Sequence, residues 1–125
     1  MGASKERPDI WVGHAELPTK DLAGSERFLK DIGLRFVFKN EAIVIYELRG
    51  GTHLIMFAKD EIEDTDASFD FMVEDVDVTY KKFRDLGYEV SEMERGEIHD
   101  SFWVTEPGGN RIHVNSTHVE DHSIV

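Results

Sequence analysis

Two stretches decide the fold. His14-Ala15-Glu16-Leu17-Pro18-Thr19-Lys20-Asp21-Leu22 aligns without a gap on Ser68-Phe69-Asp70-Phe71-Met72-Val73-Glu74-Asp75-Val76. The match continues through SERFLKDIGLRF, ending at Phe36, and TYKKFRDLGYEV, ending at Val90. Asp21 falls on Asp75, Asp31 on Asp85 and Gly33 on Gly87, always 54 residues apart (75 − 21). The ends match too: Gly50-Gly51-Thr52-His53-Leu54-Ile55-Met56 lies on Gly108-Gly109-Asn110-Arg111-Ile112-His113-Val114 at an offset of 58 (108 − 50). The second copy therefore carries four extra residues (58 − 54), in Ser91 to Asp100, which read as a longer loop or hairpin. A repeat of this length marks one supersecondary unit used twice.

Each copy reads in the same order. A strand comes first, Trp11 to Leu17 or Ser68 to Val73. A helix follows, opened by Asp21 or Asp75 as N-cap and closed by Gly33 or Gly87. Leu22, Phe28, Leu29 and Ile32 fall near one face of the first helix; Val76, Tyr80, Phe83 and Leu86 do so in the second. Three strands complete each copy: Arg35–Lys39, Ala42–Leu48 and Thr52–Ala58, then Glu89–Glu94, Ser101–Thr105 and Arg111–Asn115. The expected fold is α+β, a single domain of tandem β-α-β-β-β repeats. Repeat one covers about 10–58, an acidic linker 59–67, repeat two about 68–115 and a tail 116–125.

Composition narrows the function. The chain has 125 residues, enough for one domain with a real core. It has no cysteine, which excludes a thiol nucleophile, a disulfide framework and a thiolate metal site. That fits a reducing compartment, and a cytoplasmic location is expected. The N-terminal MGASKERPD lacks the apolar core of a signal peptide, and no apolar run is long enough to cross a membrane. Fourteen basic against 26 acidic side chains give a net charge of −12, which argues against nucleic acid and anionic membrane as partners. No phosphate loop, dinucleotide fingerprint or nucleophile elbow is present.

GHAELPTKDLAGSERFLKDIGLRF near the start and SFWVTEPGGNRIHV near the end resemble the vicinal oxygen chelate superfamily. That superfamily includes glyoxalase I, extradiol dioxygenases, fosfomycin-resistance proteins and bleomycin-binding proteins. The resemblance covers about residues 10 to 115 and implies that each copy curls into a cup of mixed sheet. It further implies paired cups around a divalent metal and a substrate held through adjacent oxygens. The four ligand slots it implies are His14, Ile55, Ser68 and His113. Isoleucine cannot ligate and a serine hydroxyl is a poor ligand, whereas imidazole suits zinc, iron and nickel; manganese is a further candidate.

Alternation along strands brings other groups to the same faces. His53 shares the face of Ile55, Glu16 that of His14, and Asp70 that of Ser68. His14, His53 and His113 are thus candidate metal ligands, and Glu16 and Asp70 candidate proton-transfer carboxylates. Phe69 and Phe71 have the opposite parity to Asp70, so the aromatics are expected on the helix and the acid in the cup. Ala15 and Leu17 make the same argument for Glu16. Ile55, Ser68, His99 and Trp103 are candidate substrate contacts; parity leaves open whether Phe102 or Trp103 faces the cup. His118 and His122 read as surface residues.

Two functions follow. One is a metal-dependent lyase, isomerase or dioxygenase acting on a small molecule. The other is a metal-free protein that sequesters a small ligand, for which an acidic cleft would suit a cation. Exposed sheet edges need cover, and relatives of this size usually dimerise, so a homodimer with two equivalent clefts is expected.

Overall fold

The computed structural model describes residues 6–125, the side chain of His122 excepted. The first five residues of the charged N-terminal stretch lie outside the described residues. The repeat read from the sequence is present in the topology. The first copy runs β1 (His14–Thr19), α1 (Leu22–Asp31), β2 (Arg35–Lys39), β3 (Ile43–Glu47) and β4 (His53–Ala58). The second runs β5 (Asp66–Val73), α2 (Val76–Asp85), β6 (Glu89–Val90), β7 (Glu94–Arg95), β8 (Asp100–Thr105) and β9 (Arg111–Ser116). One sheet has the order β1-β4-β3-β2; the other has β5-β9-β8-β6, with β7 also paired to β8. In each sheet the first and last strands of the copy are parallel neighbours and the other pairings are antiparallel.

Local chemistry explains the element ends. The Asp21 side chain accepts from Gly24 N–H, and that of Asp75 from Val78 N–H, so each aspartate satisfies an orphan donor of the first helical turn. Gly33 and Gly87 follow the helices at φ +98° and +92°, a conformation that costs other residues steric strain.

Most strand ends fall within one or two residues of the expected ones, and three differences have an identifiable cause. Residues 11–13 precede β1, because β4 begins only at His53 and offers no ladder beyond the Gly13 carbonyl. Asp66 and Ala67 belong to β5, not to the linker, since Arg111 N–H bonds Thr65 O and Arg111 Nε donates to Asp66 at 2.8 Å. The strand expected over Glu89–Glu94 is broken into β6 and β7 around Ser91, whose hydroxyl accepts from Trp103 N–H at 2.8 Å.

One core joins the copies. Leu17, Val44, Tyr46, Leu54 and Met56 from the first sheet and Phe102, Val104, Ile112 and Val114 from the second are all buried. They belong to one cluster with Phe28, Leu29, Val76 and Phe83 of the helices. Phe28 meets Phe83 and Tyr88 edge-on, with ring centres 6.3 and 5.0 Å apart. Each such side chain contributes ~1.5–3 kcal/mol by leaving water. The helices thus fill the space between the two sheets, and each sheet keeps one face turned away from this core.

Candidate functional site

The residues singled out from the sequence gather on those two open faces. On the first sheet, β1 and β4 pair in register His14 to His53 and Glu16 to Ile55, while β3 sets Glu47 beside His53 and Ile45 beside Ile55. Leu17, Leu54, Met56 and Val44 take the opposite parity and are buried. The rings of His14 and His53 lie edge to face, 6.0 Å between centres. His53 Nε2 is 3.4 Å from Glu47 Oε1, and Arg35 grips the other oxygen of Glu47. A row of imidazole, imidazole and carboxylate therefore crosses β1, β4 and β3. Ile55 sits in the next row, beside Glu16, as an apolar floor.

On the second sheet, β9 brings Arg111, His113 and Asn115 to the open face, and β8 brings Trp103 opposite His113. Parity is now settled: Phe102 is fully buried, and Trp103 is half-buried and stacked on His113 at 4.5 Å between ring centres. The Arg111 guanidinium lies 4.4 Å from the centre of the Trp103 ring while its Nε holds Asp66. Such cation–aromatic contacts are worth ~0.5–1 kcal/mol at exposed sites. Asp70 pairs with His113 across β5 and β9 and accepts from the Asn115 amide. Asn115 also lies 3.5 Å from His113 Nδ1, a long contact. Ser68 is exposed on the same face, on β5. Phe69 and Phe71, of opposite parity, pack against the core as expected from the sequence, and so does Ala15 beside Glu16.

Carboxylates give these faces their electrostatic character. Glu47 is engaged by Arg35, and Asp66 by Arg111. Glu16 and Asp70 have no ion-pair partner among the described residues. A cleft of about 380 Å³ lines the second sheet between Trp103, Arg111, Thr105, Val90 and Ser91. An apolar cleft of about 340 Å³ opens on the helix side among Leu34, Leu48, Phe71 and Phe83; none of the histidines lines it.

His99 stands apart from both faces. Its Nδ1 is 2.6 Å from the Ser116 carbonyl at the end of β9, and its ring meets that of His118. The side chain of His122 lies outside the described residues. Glu47, Arg111 and Asn115 were not singled out from the sequence. Arg111 and Asn115 share the parity of His113, a signal that strand alternation offers. Glu47 is found only through the β3–β4 register, which the Gly50-Gly51 turn sets.

The acid of the Glu106-Pro107-Gly108-Gly109-Asn110 turn is no part of these faces. Glu106 is 1 % exposed and joins the two copies. Its carboxylate accepts from Ser25 Oγ at 3.0 Å, Gly108 N–H at 2.6 Å and Asn110 Nδ2 at 3.2 Å. Ser25 Oγ in turn meets Thr19 Oγ1 at 2.7 Å, and Asn110 Nδ2 donates to Pro18 O at 2.7 Å. Burial pushes the Glu106 carboxyl above its ordinary range, and these donors pull the other way.

A catalytic zinc-class ion is usually held by three protein donors around one point, with a further position left open. Among the described residues no three His, Asp or Glu side chains of one chain meet that need. The donors of the two open faces are split between the sheets, and Ile55 and Ser68 leave each half short. Among the described residues, neither open face of one chain brings together the three donors usual for a catalytic ion.

Residues 11–114 match the family model described as the Glyoxalase/Bleomycin resistance protein/Dioxygenase superfamily. Among solved structures, the chain resembles a lactoylglutathione lyase from Agrobacterium tumefaciens (TM-score 0.74, 22 % identity, covering 87 % of this chain and 95 % of that one). It also resembles a bleomycin resistance determinant encoded on the transposon Tn5 (TM-score 0.69, 17 % identity, 88 % and 100 %). A third is the oxidase ChaP-H2 (TM-score 0.69, 18 % identity, 88 % and 95 %). At these identities the likeness is one of fold. A sequence comparison with curated proteins finds no match.

Proposed function

We propose, for a chain that belongs to the Glyoxalase/Bleomycin resistance protein/Dioxygenase superfamily, that it is a small-molecule binding protein whose ligand is planar, aromatic and cationic. The observation that carries this reading is the open face of the second sheet. There Trp103 offers an aromatic surface beside His113 and already holds a guanidinium, while Asp70 supplies charge without an ion-pair partner. A flat cation taking the place of the Arg111 guanidinium on the ring would gain stacking and the Asp70 charge together. Glu16 and the Ile55 floor of the first sheet supply a second carboxylate and an apolar wall.

Because the helices occupy the space between the two sheets of one chain, the open faces would meet those of another copy. In this reading the protein is a homodimer, and each of two equivalent clefts takes the first sheet of one subunit and the second sheet of its partner. Such an arrangement is isologous, as expected for a C2 dimer.

The row His14–His53–Glu47 favours a second reading, a metal-dependent lyase or dioxygenase. Two imidazoles and a carboxylate on neighbouring strands are the donor types that such chemistry uses. A dimer could add His113 of the partner subunit to them.

The test is calorimetric titration of the metal-stripped protein with proflavine, a planar aromatic cation. Saturable binding at one site per chain, weakened at least tenfold by Trp103→Ala and by Asp70→Asn, supports the binding reading. Equal affinity in wild type and both variants refutes it. A metal content of one ion per chain that His14→Ala and His53→Ala both abolish would transfer the assignment to the enzyme reading.

A further inference from the structure

We propose a second, separate metal site: His99 and His118 form a two-histidine clip for a copper(II)-class transition-metal ion, tying the C-terminal tail to the loop before β8. Neither residue belongs to the open faces.

Three observations carry the proposal. The first is proximity across 19 residues of chain (118 − 99): the two rings are 5.4 Å apart, centre to centre, in an edge-to-face arrangement. Imidazoles bound side by side to one ion at about 2.0–2.1 Å hold their ring centres roughly 4.5–5 Å apart, whether the ion is tetragonal or tetrahedral. The observed spacing of the ring centres is close to that of a chelating pair.

The second is the tautomer of His99. Its Nδ1 sits 2.6 Å from the Ser116 carbonyl oxygen, which can only accept. Nδ1 must therefore carry the proton, and in the neutral ring the Nε2 lone pair is left available. A histidine whose other nitrogen donates to a carbonyl is oriented and made more basic for metal binding. Asp100 N–H donating to Ser116 Oγ at 3.0 Å fixes that carbonyl's residue in place.

The third is accessibility. His118 is exposed, His99 is half-buried, and neither ring nitrogen of His118 makes a hydrogen bond among the described residues. Two donors leave the rest of the coordination shell to water. With so few protein ligands and no imposed geometry, the order of affinities follows the intrinsic one, copper(II) above nickel(II) and zinc(II). Protons compete for the same nitrogens, so affinity falls as pH falls.

The experiment is isothermal titration of the tag-free chain with copper(II) at neutral pH, repeated with zinc(II). Parallel titrations use His99→Gln, His118→Gln and the double variant His14→Ala/His53→Ala, each checked for native circular dichroism. The expected result is one copper per chain, binding weakened at least tenfold in each of the first two variants and retained in the third. Electron paramagnetic resonance of the copper complex should show coupling to two imidazole nitrogens, reduced to one in either single variant. Copper binding unchanged by His99→Gln or by His118→Gln overturns the clip, and so does a site lost only with His14 and His53. One ion per two chains would also overturn it, because the histidines would then bridge subunits instead of clipping one tail.

Discussion

Removing the Glu106 carboxylate should uncouple the two copies, and the structure allows the cost to be worked out. In Glu106→Ala, Ser25 Oγ keeps Thr19 Oγ1 at 2.7 Å and Asn110 Nδ2 keeps the Pro18 carbonyl at 2.7 Å. The donors left without a partner are Gly108 N–H, which the carboxylate holds at 2.6 Å, and the second N–H of the Asn110 amide, at 3.2 Å. An unsatisfied buried donor costs ~1–3 kcal/mol. The emptied volume at a site 1 % exposed adds a cavity term of ~1–2 kcal/mol. Relief of the buried charge offsets part of this, so a net loss of ~2–4 kcal/mol is expected. Glu106→Gln keeps the volume and one acceptor for Gly108 and should lose less. The pH dependence separates them further. Burial raises the Glu106 carboxyl in the folded state above its unfolded value. The native state then binds more protons than the unfolded one, so this group's contribution to stability is largest below the unfolded value and is lost as pH rises through the folded one. Wild type should gain stability relative to Glu106→Gln as pH is lowered from neutral towards the carboxylate range. The assay is urea unfolding followed by tryptophan fluorescence. A Glu106→Ala variant within about 0.5 kcal/mol of wild type would refute the accounting. A wild-type advantage over Gln that grows with rising pH would refute the sign of the shift.

Other consequences are as definite. Gly108→Ala should destabilise by more than ~3 kcal/mol in the same unfolding assay, since a Cβ there would drive into Thr19 Oγ1, Ser25 Oγ and Glu106 Oε1. Asp75→Ala, which strips the cap from α2, should cost ~1 kcal/mol, and Asp75→Asn much less. Of the three tyrosines, Tyr88 should ionise at about 12, because burial and its hydrogen bond to Asp31 both disfavour the phenolate. Absorbance titration should show that step lost in Tyr88→Phe and moved downward in Asp31→Asn.

The repeat made the architecture legible because one unit had to explain two stretches at once. Asp21 and Asp75, or Gly33 and Gly87, support each other as caps and stops in a way that neither does alone. Parity carried the faces equally well: Phe69 and Phe71 are on the core side and Asp70 is opposite. What parity could not settle were facts of register. Trp103 and Phe102 are neighbours in sequence, and only the β8–β9 pairing shows Trp103 against His113. The His53–Glu47 contact depends on where β3 turns into β4, and the break between β6 and β7 depends on a serine hydroxyl taking the place of a ladder bond. The meeting of His99 with His118 joins an inserted loop to a tail, and neither segment has a period from which a position could be read. Glu106 shows the opposite limit. Its place in a turn motif was plain, yet the motif could not reveal that the acid turns inward to Ser25 of the other copy.

The same separation of faces yields a test of how the clefts are assembled. If each cleft combines the first sheet of one subunit with the second sheet of its partner, the double variant Glu16→Gln/Ile55→Ala disables the half supplied by one chain and Trp103→Ala the half supplied by the other. Each homodimer is then defective at both clefts. When the two variant chains are mixed and allowed to exchange, a heterodimer gathers both defects into one cleft and leaves the other with wild-type residues. Random exchange makes half the dimers heterodimers, so about a quarter of all clefts should regain ligand binding. Clefts built within one chain would carry one defect each in every combination, and mixing would restore nothing. Titration of proflavine before and after exchange reads the difference directly. The measure is the number of sites, not their affinity, so partial weakening by either variant cannot imitate it. Full recovery, or none, would show that the open faces of this chain do not meet in the crossed arrangement argued from the position of its helices.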